Sequence, residues 1–294
     1  MLFVALAGLS GLVWGVGDFA GGKATQRADA LPVVWLSKLI SLPLLALYLV
    51  LLPSPLDGGS LAWGALAGTF GAVGVVVFYR ALSAGAMTVV APVTSVTSAV
   101  IPVVVGLASG ERPGAVPLVG ITCALVAIAL VSLAPPRPGV VPVVTGRLVG
   151  LAVVSGVGFA LFFVFLARAN GAAGGDAGLW PIGSAQLAAL VLTAALLLAA
   201  RARGRGGAAS TVRRWPRSRT LAWAAVAGPF DMSANALYLA ATRYGDLSLV
   251  APLAALYPVT TVLLALVVDG ERLRPLQVVG LALALGALLL VSRP

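Results

Sequence analysis

Long apolar runs, separated by short stretches of glycine, proline and charged residues, dominate the chain. A helix needs about 20 apolar residues to cross a bilayer, and the runs fit that length. They are continuously apolar, whereas the strands of a membrane barrel alternate apolar and polar positions. The pattern therefore predicts an all-α integral membrane protein with ten transmembrane helices. These helices are expected at residues 2–20, 31–52, 61–79, 86–108, 114–133, 147–167, 178–200, 220–242, 247–268 and 275–292.

The chain also repeats itself at a shift of 160 residues. Two tripeptides, Val-Ala-Pro and Gly-Glu-Arg, each occur twice at that spacing, and two glycines recur with them. Repetition of this kind indicates a fold built from similar units. The matching positions are Val90-Ala91-Pro92 with Val250-Ala251-Pro252, Gly110-Glu111-Arg112 with Gly270-Glu271-Arg272, Gly85 with Gly245, and Gly120 with Gly280.

The repeat predicts a first five-helix unit at residues 1–134, a linker at 135–146 and a second five-helix unit at 147–294. Because each unit has an odd number of spans, the second copy enters the membrane from the opposite side and is inverted. Inverted repeats are typical of transporters that expose a central site to the two sides of the membrane in turn. We therefore expect alternating access.

Composition and charge agree with a membrane location. The chain is 60% hydrophobic and 10% charged, with a mean hydropathy of +1.07, whereas about 25% of residues in a soluble domain are charged. The net charge is +10, and seven of the nineteen basic residues lie between Arg201 and Arg219. Anionic lipid explains this basic loop better than nucleic acid does. We expect a multi-pass protein of the cell membrane with the lipid bilayer, and no nucleic acid, as a partner.

The residues that most enzymes and metal sites require are missing. The chain has no histidine, its only cysteine is Cys123, and it has no G-x-x-x-x-G-K-[ST] motif. Its acidic residues are dispersed along the chain. We therefore predict that the protein is not an enzyme and holds neither a cofactor nor a metal ion.

Trp14-Gly15 in the first apolar run, the two Val-Ala-Pro tripeptides, the two Gly-Glu-Arg turns and the five-plus-five layout together resemble the EamA family of the drug/metabolite transporter superfamily. The resemblance implies a ten-helix carrier with a central cavity for amino acids, other metabolites or drugs, coupled in many members to ions or to exchange. Members usually have cytoplasmic termini. The basic loop favours external termini instead, so the direction of transport stays open.

Three charged residues lie inside predicted spans, where each costs a few kcal/mol and is a functional candidate. Asp18, near the end of the first span, either exchanges protons or is hydrated at the membrane edge. Lys38 lies a third of the way along the second span and needs a partner, and Asp18 on the neighbouring helix is the expected one. Asp231 is in the middle of its span. Each of these groups binds substrate or a coupling ion, or forms a structural ion pair.

Polar residues extend this candidate site. Gln186 matches Lys38 in depth in the other half. Asp231, Asn235 and Tyr238 fall at i, i+4 and i+7 and share one helical face. That face is suited to an amine, a proton or a polar substrate, and the alternative is a hydrogen-bonded network that fixes packing.

Prolines mark the fourth and ninth spans as interrupted helices. Each proline removes a backbone hydrogen bond, and interruptions at matching positions of two halves indicate a transporter site. Hydroxyl groups of the same spans, including that of Tyr257, are candidates to line the cavity. The expected hinge residues are Pro92, Pro102, Pro252 and Pro258.

The sequence as a whole predicts a secondary transporter of small metabolites, amino acids or drugs, with Asp18 and Asp231 as candidates for proton coupling. A lipid or lipid-carrier flippase on the same scaffold is the first alternative. A membrane-embedded enzyme is the second, and the dispersed acids argue against it. The oligomeric state, monomer or homodimer, stays open.

Overall fold

The computed structural model describes residues 1–83, 87–133, 145–204, 217–270 and 272–293, and within them it contains helices and no strands. Gly85, Glu271, most of the predicted linker and residues 205–216 of the basic loop lie outside the described residues. The helices are α1 (Leu2–Thr25), α2 (Ala30–Ile40), α3 (Leu42–Leu51), α4 (Gly58–Ser83), α5 (Met87–Ala108), α6 (Ala115–Val131), α7 (Gly146–Ala172), α8 (Trp180–Gly204), α9 (Ser218–Ala241), α10 (Leu247–Ala254), α11 (Tyr257–Asp269) and α12 (Pro275–Val291).

The all-helical membrane class is confirmed. Seven stretches of the described residues are long and apolar enough to cross a membrane. α6 and α12 are apolar but have only 17 residues each, and α9 carries Asp231 and Asn235 within its 24 residues. The seven stretches are Leu2–Thr25, Ala30–Leu51, Gly58–Phe78, Val89–Ala108, Gly146–Ala172, Trp180–Ala202 and Leu247–Asp269.

Two of the predicted spans are broken in the middle. The second divides at Ser41 into α2 and α3, with Pro43 in the first turn of α3. The ninth divides after α10, and α11 has Pro258 in its first turn. A proline has no N–H to donate to the preceding turn, so an uninterrupted helix is disfavoured there. α5, by contrast, runs on through Pro92 and Pro102.

The two halves pack on each other through equivalent surfaces. α9 packs against α1 and α2, as α4 packs against α7 and α8 in the other half. α10 and α11 lie against α1, as α5 lies against α7. The fifth segments of the two halves, α6 and α12, pair directly. Each contact therefore has a counterpart related by exchange of the two halves.

The α6–α12 pair shows that one half is inverted relative to the other. Gly120 near the start of α6 packs against Val291 at the end of α12, and Gly280 near the start of α12 packs against Val131 at the end of α6. Because the start of each helix meets the end of the other, the two equivalent helices are antiparallel.

Glu111, in the first Gly-Glu-Arg turn, joins the halves at one end of the bundle. Its carboxylate accepts the backbone N–H groups of Leu247 at 2.9 Å and Ser248 at 2.8 Å. These N–H groups lie in the first turn of α10, where they have no partner within the helix and the helix dipole favours an anion. Burial and the nearby Glu111 carboxylate raise the pKa of Asp246, the residue before α10. Glu111 thus caps a helix of the opposite half.

Candidate functional site

The centre of the candidate site is an ion pair between α2 and α9. The Nζ atom of Lys38 lies 2.6 Å from Oδ2 of Asp231, and the two side chains are 20% and 35% exposed. The same carboxylate oxygen accepts a hydrogen bond from Nδ2 of Asn235 at 3.3 Å. Asp231 and Asn235 therefore do share one face of α9, as their spacing predicted.

The expectation that Asp18 pairs with Lys38 is wrong, because the partner is Asp231. The reason is the close approach of α2 to α9. A Cβ atom on Gly228 would collide with the backbone of Ser37, so glycine lets the two helices come into backbone contact. Lys38, the residue after Ser37, then lies beside Asp231, which is less than one turn beyond Gly228.

Asp18 nevertheless belongs to the same site. The faces of α1 on either side of it pack against α11, at Gly15, and against α9, at Gly17, so Asp18 faces the interior of the bundle,. It also interacts electrostatically with both Asp231 and Lys38. Its side chain is exposed, although Trp14, one turn earlier on α1, is only 7% exposed. An exposed residue on an inward face borders an open space in the bundle, which we call the vestibule, and we refer to Asp18, Lys38 and Asp231 as the charged site.

Gln186 supports the backbone that carries Lys38. Its Nε2 atom donates to the carbonyl oxygen of Lys38 at 2.9 Å and also contacts Oγ of Ser41. Oγ of Ser41 donates to the same carbonyl at 2.9 Å. These bonds lie at the break between α2 and α3, where the helical hydrogen-bond pattern is interrupted, so Gln186 and Ser41 fix the break and the position of Lys38.

Four aromatic rings pack together around Trp14, one turn from Asp18 along α1. The ring centroids of Trp14 and Phe163 are 5.3 Å apart, and those of Phe163 and Tyr238 are 5.0 Å apart. Phe162 packs edge-on against both Trp14 and Phe163. The hydroxyl of Tyr238 is fully buried and donates to the carbonyl oxygen of Phe163 at 3.0 Å. We call these four residues the aromatic seal, to which Tyr238 belongs rather than to the polar group around Asp231.

Tyr257 lies at the first position of α11. Its hydroxyl lies near the side chains of Ser95 and Ser98 on α5 and near Asp18. Of the expected hinge residues, Pro258 directly follows Tyr257 at the break, and Pro252 lies inside α10. The break therefore places a polar ring next to the charged site.

The bundle end that contains Glu111 is held together by several polar contacts. Arg243 forms an ion pair with Asp176 at 2.9 Å and donates to the carbonyl oxygen of Gly178. Nε1 of Trp180 donates to the carbonyl oxygen of Ser54 at 3.0 Å. The bond from Trp180 to Ser54 ties the two halves, whereas the Arg243 contacts link two loops of the second half. We call this end of the bundle the Glu111 end.

An ion pair ties the two halves together at the opposite end of the bundle. Lys23, near the end of α1, pairs with Asp269 at the end of α11, and its Nζ atom lies 5.3 Å from the centroid of the Phe19 ring. Asp18, one turn nearer to this end than Trp14, is exposed, whereas Trp14 is buried. We call this end the Lys23 end.

Comparison with known proteins identifies the family. The model of the EamA-like transporter family matches residues 1–133 and 150–293, nearly the whole chain. The chain belongs to the EamA-like transporter family. The two matched stretches coincide with the two halves seen in the packing, so the resemblance that the repeated motifs carried is confirmed.

The fold is also found among solved structures. A crystal structure described only as "Crystal structure of protein" superposes with a TM-score of 0.74 at 16% sequence identity, over 98% of this chain and 96% of that chain. At this identity the likeness shows the fold alone. No curated protein matches the chain.

Proposed function

We propose that this EamA-like protein is a secondary transporter that carries small metabolites, amino acids or drugs across the cell membrane by alternating access. In this proposal all ten segments cross the bilayer, and the pairs α2–α3 and α10–α11 each make one crossing. The observation that carries the proposal is the charged site, which lies between two inverted halves. In this proposal the site is open at the Lys23 end and closed by the aromatic seal toward the Glu111 end.

The inverted relation of the two halves gives a simple physical route to a second conformation, in which the opposite end of the bundle is open. If the two halves exchange conformations, the contacts that close one end form at the other. Each end already contains one of a pair of related contacts. Lys23 ties α1 to Asp269 on α11, and Arg168 on α7 donates to the hydroxyl of Ser109, just after α5, at 3.1 Å. Ser109 corresponds to Asp269 at the shift of 160 residues.

The charges of the site favour coupling to protons. With both carboxylates ionised, Asp18, Lys38 and Asp231 together carry one negative charge. Uptake of one proton or one cationic ligand makes the site neutral, and a neutral site loses less solvation energy than a charged one when the vestibule closes over it. Closure is then favoured in the loaded site, which is the requirement for coupled transport.

Proton coupling is tested with Asp231→Asn in proteoliposomes that contain a trapped pH-sensitive dye. A library of amino acids, sugars, nucleosides and cationic drugs is first screened with wild type for compounds that cause proton movement. We expect an imposed pH gradient to drive accumulation of these compounds by wild type. For Asp231→Asn, accumulation is expected to be insensitive to the gradient, because the amide cannot take up the proton.

The matched control is Asp176→Asn, the same chemical change on a side chain that is 69% exposed. This variant should respond to the gradient as wild type does. An equal response of Asp231→Asn and wild type would remove Asp231 from the coupling role.

A further inference from the structure

Asp18 is the charged group of the site that has no direct partner. Lys38 and Asp231 satisfy each other at 2.6 Å, whereas Asp18 forms no hydrogen bond and no ion pair with any residue that the structure describes. An ionised carboxylate can only accept hydrogen bonds. The vestibule wall therefore presents an uncompensated negative charge and several free acceptor positions.

Asn235 supplies a second acceptor without a partner. The residue is 5% exposed, and its Oδ1 atom makes no hydrogen bond. The orientation of the amide is set by Asp231. The ionised Asp231 carboxylate can only accept a hydrogen bond, so Nδ2 of Asn235 faces it at 3.3 Å and Oδ1 of Asn235 has no donor,. A buried acceptor without a donor is unfavourable, and a ligand that brings a donor relieves this.

The unpaired acceptors lie at neighbouring levels of the α1–α9 contact. Ser10 of α1 donates to the carbonyl oxygen of Ala234 at 2.8 Å, and Gly17 of α1 packs against the backbone of Asp231. Asn235 on α9 is therefore at a height between these two contact points, which is also the height of Trp14.

The aromatic seal completes a site for a cation with an apolar body. Trp14 lies four residues before Asp18 on α1, so the two side chains share one helical face. An indole ring attracts a cation through its π face and also provides apolar contact area. Trp14 is 7% exposed, so only a small part of its surface is open to a ligand.

We propose that the charged site binds an organic monocation, a primary or secondary ammonium ion that carries a compact aromatic or aliphatic group. This inference rests on the proposed function in one respect, namely that the bound cation is the species that is transported. The ammonium group donates to the Asp18 carboxylate and to Oδ1 of Asn235, and the apolar group lies toward Trp14. An anionic ligand would have to displace Asp231 from Lys38, and it would face the Asp18 charge.

The test is direct binding of small probes to the purified protein in lipid nanodiscs, measured by isothermal titration calorimetry. The probes are phenethylamine and pentylamine, with 2-phenylethanol as the neutral and phenylacetate as the anionic counterpart of the first. The amines are expected to bind, and the alcohol and the acid are not, because only the amines bring a positive charge to Asp18.

Two variants locate the ammonium group. Asp18→Asn is expected to weaken amine binding by about tenfold or more, because a charge-assisted hydrogen bond is lost. Asn235→Ala removes the second acceptor and is expected to weaken binding by a smaller factor, while Asp176→Asn leaves it unchanged. Circular dichroism and thermal melting confirm that each variant is folded, and Asn235→Ala serves alone if Asp18→Asn does not fold.

Binding of phenylacetate in preference to phenethylamine would overturn the inference, as would absence of amine binding to wild type. Equal amine affinity in wild type and in a folded Asp18→Asn or Asn235→Ala variant would overturn it as well. Failure of transport is distinguishable from these outcomes. If the amines bind as expected but are not accumulated by proteoliposomes, the site assignment stands and the proposed function is wrong.

Discussion

Lys38→Met is expected to destabilise the protein more than the double variant Lys38→Met/Asp231→Leu does. The single change leaves the Asp231 carboxylate without its cation inside the bundle, whereas the double change leaves apolar groups of similar size. We expect a loss of about 1–3 kcal/mol for the single variant, below the cost for a fully buried pair because the vestibule hydrates part of the site. The measurement is unfolding of both single variants and the double variant in one detergent.

The ion pair at the Glu111 end is the control for this cycle. Asp176 is 69% exposed in its pair with Arg243, so Asp176→Asn is expected to change stability by less than about 1 kcal/mol. If the effects of Lys38→Met and Asp231→Leu simply add in the double variant, the two residues are not coupled and the ion pair does not organise the site.

Gly68→Ala and Gly228→Ala are expected to be among the most destabilising small substitutions in the chain. A Cβ atom at either glycine would overlap backbone atoms of the facing helix, those of Ala185 in α8 and of Ser37 in α2. Side-chain rotation cannot relieve a clash with backbone, so the helices must separate. We expect a loss at or above the roughly 1–3 kcal/mol of ordinary overpacking, measured as a lower melting temperature in detergent.

Gly286→Ala is the matched control. This glycine is inside α12 and has no atom of another residue within 4 Å of an added Cβ. Alanine is favoured over glycine in a helix by about 1 kcal/mol, so the melting temperature is expected to stay equal or to rise. Equal destabilisation by Gly286→Ala and Gly228→Ala would show that the close approach of α2 and α9 is not what the glycine provides.

The two-half architecture could be predicted because it leaves marks at fixed positions along the chain. The glycines at 120 and 280 recur at the shift of 160 residues, and in the structure each packs against the end of the partner helix. The tripeptides around Pro92 and Pro252 lie in α5 and α10, which pack against each other. By contrast, Pro43 has no counterpart in the repeat, and the apolar pattern predicts an unbroken span at 31–52, although the missing N–H of Pro43 is the same signal that the other prolines give,.

The partners of the site residues could not be predicted, because they depend on contacts between distant parts of the chain. The spacing of Asp231, Asn235 and Tyr238 predicted their shared face. It could not show that Tyr238 finds the carbonyl oxygen of Phe163, 75 residues away. In the same way, the partner of Lys38 depends on the approach of α2 to Gly228, which lies on a helix of the other half.

Alternating access is tested most directly by distances between spin labels at the two ends of the bundle. On a Cys123→Ser background, Gln26→Cys with Val268→Cys reports on the Lys23 end, and Gly171→Cys with Ala108→Cys reports on the Glu111 end. All four label sites are exposed, and none of them removes the Lys23–Asp269 pair or the bond from Arg168 to Ser109.

Distances are measured by double electron–electron resonance in nanodiscs, in acidic and alkaline buffer and with saturating phenethylamine. Alternating access predicts that conditions which shorten the distance at the Lys23 end lengthen the distance at the Glu111 end. If both distances stay fixed under all conditions, or if both change in the same direction, the two halves do not exchange conformations around the charged site.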